Sequence, residues 1–384
     1  MICIKNGLLH TMEQKDAFYG DILIEDGKII SIAPEISTTE DMEILDATNL
    51  SIYPGFVEAH CHIGLDGYGI GYEGRDYCEL NDYSTPHLRG IDGINPFDPC
   101  FEHASKAGVT CVGTGPGSAD VLGGTFVALK TYGKCVDDMI VKDPVAMKCA
   151  FGENPKNCYR TNGITSRMTT ASVLREALFK ATQYQKKLEN AHGDPAKEPA
   201  FDMKSEALLP VLKKEIPLKA HAHQANDIFT ALRIAKEFDL DITLEHVTEG
   251  HLIAEALAKE NVPLAVGPTL THATKFELQN KTFETPGVLA KLGCQVSIIT
   301  DSPFIPQEYL PLCAGLAVKS GMDPYEALKA ITINPAKHLG IEDRVGSLLA
   351  GKDADLVITT GNPLSLETEI KYVFIDGNLI HKND

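Results

Sequence analysis

The feature that most constrains this chain is a series of eight short apolar runs between residues 53 and 301, several of them separated by stretches of helical periodicity. The first run ends in His60 and His62; the others are residues 109–113, 125–129, 145–150, 218–221, 242–246, 262–266 and 296–301. Runs of this length, rich in Val, Ile, Leu and Ala, suit strands buried on both faces. Among the intervening segments, residues 171–188, 227–238 and 251–259 carry apolar residues at helical spacing. Strands alternating with helices in this number predict an α/β chain built on a (β/α)8, TIM-like barrel. A doubly wound open sheet is the rival, but it needs a glycine-rich phosphate loop after its first strand. Gly64-Leu65-Asp66-Gly67-Tyr68-Gly69 is not one.

The two ends of the chain have a different texture. Short alternating runs flank Asp26-Gly27 near the start and Asp376-Gly377 near the finish, and Asp-Gly between such runs signals a hairpin. Neither end holds enough apolar residues for its own core, and isolated hairpins are marginal in water. The expectation is one small β-sandwich domain built from residues 1–54 plus 346–384, flanking a barrel of residues 55–345. Two long connections, residues 63–102 and residues 152–214, the second with a helix of its own, are expected over the catalytic mouth of the barrel.

Polar residues at the strand ends supply the chemistry. Side chains alternate along a strand, so His60 and His62 point the same way. His221 closes the fifth run, His246 the sixth and Asp301 the eighth. Any one of these is an ordinary polar terminus. Together they place four imidazoles and a carboxylate where a barrel delivers its last inward side chains, which is a donor set for a divalent metal.

Charge and cysteine content narrow the partners. A net charge of -18 is unfavourable to nucleic acid and to anionic membrane. No apolar run is long enough to span a bilayer. The 10 cysteines show no paired spacing, and residues 1–5 lack the pattern of a signal peptide, so the expectation is a cytoplasmic protein with reduced thiols. A small-molecule substrate is the expected partner, with homo-oligomerisation left open.

The segment Gly55-Phe56-Val57-Glu58-Ala59-His60-Cys61-His62 resembles the first-strand motif of the amidohydrolase superfamily. His221, His246 and Asp301 match that superfamily's fifth-, sixth- and eighth-strand ligands. Thr332-Ile333-Asn334-Pro335-Ala336 and the stretch from Gly346 to Val357, which contains Ala350-Gly351-Lys352-Asp353-Ala354-Asp355-Leu356, resemble its C-terminal signature. The resemblance covers essentially the whole chain. It implies a metal-dependent hydrolase, of the dipeptidase or imidazolonepropionase-like branch, holding divalent metal, with two Zn ions expected and Mn, Fe or Co as alternatives.

In binuclear members a carboxylated lysine or a glutamate spans two ions. Lys148, inside an apolar run where an unpaired ammonium is costly, is the preferred bridge after carboxylation; Glu153 is the alternative. The two have opposite strand parity, so a regular strand cannot aim both inward. The resemblance also implies that Asp301 acts as general base and acid beside a metal-activated hydroxide. Deaminases of the superfamily carry a glutamate shortly after the fifth-strand histidine. Here the run is His221-Ala222-His223-Gln224, so hydrolysis of an amide (a dipeptide, an N-acyl amino acid or a cyclic amide) is expected ahead of deamination. A mononuclear imidazolone-type ring hydrolase or deaminase is the second reading, and a non-catalytic barrel descendant the third. His223 and His272 are the expected substrate contacts, with Glu249, Arg75 and Arg160 as softer candidates. His87, His103, His192 and His338 receive no role.

Overall fold

The computed structural model describes residues 1–383. The chain opens with five strands, β1 (Ile2–Leu9), β2 (Phe18–Glu25), β3 (Lys28–Ala33), β4 (Glu43–Asp46) and β5 (Ser51–Pro54). It closes with β14 (Leu356–Thr359), β15 (Ile370–Ile375) and β16 (Asn378–Lys382). These join one eight-stranded sheet in the order β16-β15-β14-β5-β1-β2-β3, with β4 paired to β1. Asp26 and Gly27 both have positive φ (47° and 76°), as do Asp376 and Gly377 (47° and 72°), the conformation that two-residue hairpins need. The seam between the two ends is β14 against β5, antiparallel, with Leu356 opposite Pro54.

Between the ends lies a second eight-stranded sheet. Its strands follow in sequence order: β6 (Phe56–Cys61), β7 (Val109–Thr114), β8 (Leu122–Lys130), β9 (Ile140–Ala150), β10 (Leu218–Ala222), β11 (Ile242–His246), β12 (Leu264–Val266) and β13 (Val296–Ile298). The sheet curls until its edges nearly meet. His62 N donates to Ser302 O at 2.8 Å, and the buried Glu58 carboxylate of β6 accepts from Thr300 N at 2.9 Å just beyond β13. This is a mixed α/β fold with a nearly closed, TIM-like barrel.

One strand departs from the expected alternation. β8 runs antiparallel to both β7 and β9, whereas the other neighbouring pairs are parallel. The cause is connection length. Residues 115–121 hold no helix and residues 131–139 only the single turn Val136–Met139, while a parallel crossover needs a dozen residues or more. Helical segments fall where their periodicity indicated, at Arg167–Ala191, Ala225–Phe238 and Ala254–Glu260. The connection 152–214 is mostly helix rather than loop: besides Arg167–Ala191 it holds Glu153–Cys158 and Met203–Leu212.

Candidate metal centre

His60 lies within β6, fully buried, and its Nδ1 stands 3.0 Å from Glu245 Oε2 of β11. A carboxylate there can only accept, so Nδ1 carries the proton and Nε2 presents its lone pair inward. His62, one residue past β6, donates Nδ1–H to Gly115 O at 2.8 Å, and His246, the last residue of β11, donates Nδ1–H to Gly267 O at 2.8 Å. All three therefore turn Nε2 toward the barrel axis. Asp301 meets them there: its Oδ1 is 3.3 Å from His62 Nε2 and 3.7 Å from His60 Nε2. Asp301 and His246 both have left-handed backbone (φ 54° and 73°), a strain that recurs where side chains are aimed for function. Asp301 is thus not the last residue of its strand; it is delivered by a bend three residues beyond Ile298.

Lys148 of β9 is fully buried, with Nζ 3.1 Å from His60 Nε2 and 5.2 Å from the centre of the Phe126 ring. Burial pushes this lysine down to about 8, against the pull of Asp301 and Glu245. Burial also holds His60 and His221 well below the ordinary imidazole range and brings His246 to about 4. These rings are neutral at physiological pH, the form that ligates metal.

His221 of β10 faces His223 and His246, with ring centres 4.7 and 4.3 Å away. His223 shares its Nδ1 with Thr248 Oγ1 at 2.7 Å. Two triads could each surround an ion: His60, His62 and Asp301, and His221, His223 and His246, the nominated donor atoms within each lying within 4.8 Å of one another. Both ring nitrogens of His221, and Oδ1 of Asp301, are buried without a hydrogen-bond partner. Buried polar atoms in native proteins are nearly always partnered, so these orphans fit a cation.

His62 and Asp301 of one triad and His221 and His223 of the other line a cavity of about 560 Å³ walled further by Tyr77, Cys78, Asn154, His272, Lys275 and Phe304 among others. One wall is pinned by Tyr159, whose phenol meets Asp120 Oδ1 and the carbonyls of Glu79 (2.6 Å) and Asp82 (3.2 Å). This ties the segment carrying Tyr77 and Cys78 to the turn before β8.

Comparison with known proteins decides the family. The model of the amidohydrolase family matches residues 165–380. The chain belongs to the amidohydrolase family. It is 42% identical to a crystal structure of an amidohydrolase from Thermotoga maritima MSB8, covering 100% of both chains with a TM-score of 0.95. It is 28% identical to amidohydrolase tasK of Hapsidospora irregularis over 93% of this chain, but spans only 39% of that longer protein. It is also 28% identical to the imidazolonepropionase of Symbiobacterium thermophilum, covering 88% of this chain and 83% of that one.

Within this amidohydrolase the remaining candidates sort by position. Glu153 starts the helix Glu153–Cys158, where its carboxylate accepts from Asn157 Nδ2 (3.3 Å) and Glu277 N (3.4 Å), engaged with the helix rather than with His60. His272 is exposed on the cavity rim. Glu249 is committed to Ala225 N and Asn280 Nδ2, each at 2.8 Å. Arg75 lies 3.7 Å from Asp66, and Arg160 is exposed; neither lines the cavity.

Three buried groups escaped the sequence reading. His338, given no role, donates to Glu245 Oε1 at 2.8 Å, and Lys219 reaches Glu245 Oε2 at 2.9 Å, so both brace the carboxylate that orients His60. Glu277, from the turn Phe276–Leu278, is buried with Oε1 3.7 Å from His221 Nε2 and 3.6 Å from His223 Nε2. Glu277 thus brings beside His221 a carboxylate that the run His221-Ala222-His223-Gln224 lacks. It lies 56 positions on from His221, which no spacing rule would have found.

Proposed function

We propose that the chain is a metal-dependent hydrolase of a C–N bond in a small molecule, an amide or cyclic amide. The observation that carries this reading is the pair of buried triads reaching one cavity, with the nitrogens of His221 and Oδ1 of Asp301 left without partners. Members of the family are hydrolases acting on such bonds, and the imidazolonepropionase likeness brings cyclic amides into the substrate range.

His60, His62 and Asp301 would hold one divalent ion, and His221 and His246 a second, with Lys148 between them as a carbamate. Lys148 suits that modification because burial leaves on the order of a tenth of it as the nucleophilic amine near pH 7. When bound, divalent ions lower the pKa of water and polarise a carbonyl. Asp301 does the proton work. Burial alone would raise its carboxyl, but His246 and His62 hold it below the usual range. It thus begins as a base, and the carboxylate takes a proton from the attacking water and returns it to the departing nitrogen. His223, on the cavity wall, contacts the substrate. The sheet formed by residues 1–54 and 346–384 serves as support for the barrel segment 55–345.

The test is to assay metal-loaded and chelator-treated protein against dipeptides, N-acyl amino acids and cyclic amides, with ammonia release measured in parallel. Chelator-reversible hydrolysis is expected. Ammonia release from an aminated ring with no amide cleaved would overturn the reading.

A further inference from the structure

Glu277 sits in a place built to hold a carboxylate still. Its Oε2 accepts from Glu153 N at 2.8 Å, and a Cβ at Gly152 would stand only 2.5 Å from that oxygen. The other oxygen, Oε1, is buried and its close partner is a single cation, the Lys275 ammonium. Around it lie His221 Nε2 at 3.7 Å, His223 Nε2 at 3.6 Å and the Lys275 ammonium at 2.6 Å. Both nitrogens of His221 are unpartnered. The imidazole distances are too long for hydrogen bonds. They match two donor atoms of one ion: with metal–donor bonds of about 2.1 Å, tetrahedral geometry sets donors roughly 3.4 Å apart.

We propose that Glu277 Oε1 joins His221 and His223 as the anionic member of a divalent-cation site, and that the Lys275 ammonium competes with the metal for that oxygen. The inference rests on the metal-hydrolase reading above, adds Glu277 to its ligands and makes His223 a ligand of the second ion in place of a substrate contact. Mixed imidazole and carboxylate donors suit Zn²⁺ or a similar borderline ion. Two positive charges cannot share one carboxylate oxygen without strong repulsion where water is excluded. Lys275 has an alternative: Nζ also donates to Asn154 Oδ1 at 2.9 Å, and its side chain is 22% exposed, so the ammonium can yield the oxygen and stay tethered. Among the described residues Lys275 is the single Lys or Arg lining this cavity, so its position sets how tightly the second cation is held.

The test is Zn²⁺ titration of chelator-stripped wild type, Glu277→Gln and Lys275→Met, read by calorimetry and by metal analysis. Wild type is expected to take two ions of unequal affinity. Glu277→Gln should weaken the looser ion by about 10–100-fold and leave the tighter one unchanged. Lys275→Met should tighten the looser ion by on the order of tenfold, a gain that misfolding cannot mimic should Glu277→Gln fail to fold. Unchanged binding in Lys275→Met, or weaker binding, would overturn the proposal. Unchanged binding in Glu277→Gln with lost turnover would also overturn it, in favour of a proton carrier. A single ion in all three proteins would overturn it while sparing the metal-hydrolase reading; no ion in any would overturn both.

Discussion

The strand β8 connects two clusters of buried charge that are built on opposite principles. At its C-terminal end, Lys130 Nζ stands 2.8 Å from Asp355, 3.0 Å from Asp353 and 3.0 Å from Asp376. Arg344 and Lys28 close the ring on Asp353 at 2.8 and 2.5 Å. Near its start, Gly124 pairs with Lys148 of β9, at the edge of the His60 triad. There the accounting stays open: Asp301 Oδ1 and both nitrogens of His221 have no hydrogen-bond partner. Burial opposes the charge on Lys130, yet the three carboxylates hold its pKa well above the ordinary value. Burial at the mouth instead drives His60, His221 and His223 well below theirs. A closed cluster clamps the sheet of the chain ends onto the barrel; an open one invites a ligand.

The sharpest way to break this contrast is to change one residue in each cluster. Asp301→Asn should lower kcat by about 10²–10⁴-fold, the usual worth of a positioned proton carrier, while its circular dichroism and urea midpoint stay near wild type. A variant that loses its fold along with its activity would mean that Asp301 clamps rather than catalyses. Lys130→Met should do the reverse. Removing one partner of a buried ionic group leaves uncompensated carboxylates and costs about 3–5 kcal/mol, visible as a lower urea midpoint, with Zn²⁺ uptake preserved in the folded fraction. A loss under 1 kcal/mol would show that the junction is not a closed unit.

How far these clusters could be read from the sequence follows from what fixes each residue. The eight strands and the ends of β6, β10 and β11 were legible because apolar runs and strand parity are local properties. The reversed β8 was not, because direction depends on the short links 115–121 and 131–139 and not on the strand's composition. The ligand candidates His60, His62, His221, His246 and Asp301 come together as the barrel pattern implied. Glu277 and His338 were invisible for a different reason: each reaches its partner through tertiary packing, at positions where neither motif nor periodicity marks it. Lys148 was marked by a charge inside an apolar run, a conflict that composition exposes, whereas Glu153 carried no such conflict and proved to start a helix.

Asp120 is an intermediate case, buried with neither a cation nor an open ligand position. Burial pushes its carboxyl up to about 7, with Glu79 and Asp82 adding to the rise and the Tyr159 phenol opposing it. Hydrogen counting agrees. The single phenolic hydrogen of Tyr159 faces three oxygens, of Asp120, Glu79 and Asp82, so a protonated Asp120 can donate to the phenol while the phenol donates to Glu79 O. Because the folded value lies above the unfolded one of about 3.9, the folded state binds more protons in between. The contribution of Asp120 to stability is full below pH 4 and declines as pH rises toward 7, by on the order of 2–4 kcal/mol. Asp120→Asn should flatten that slope, measured as urea unfolding at pH 4.5, 6 and 7.5. An unchanged slope would assign the pH dependence to other groups.

The smallest effect is expected where charges keep their water. Lys15 and Asp323 lie 3.4 Å apart with side chains 66% and 48% exposed, and they too join the chain-end sheet to the barrel. In water a pair at this distance gains little attraction, loses side-chain entropy and is screened by salt. Asp323 has a second task, accepting from Tyr325 N and Glu326 N at the start of a helix, so the pair should be broken from the lysine side. Lys15→Ala should change unfolding free energy by no more than about 0.5 kcal/mol, with no dependence on salt between 0.05 and 0.5 M beyond about that amount. Should Lys15→Ala cost as much as Lys130→Met, burial would not be what separates a clamp from an ordinary surface contact, and the distinction between closed and open clusters would lose its physical basis.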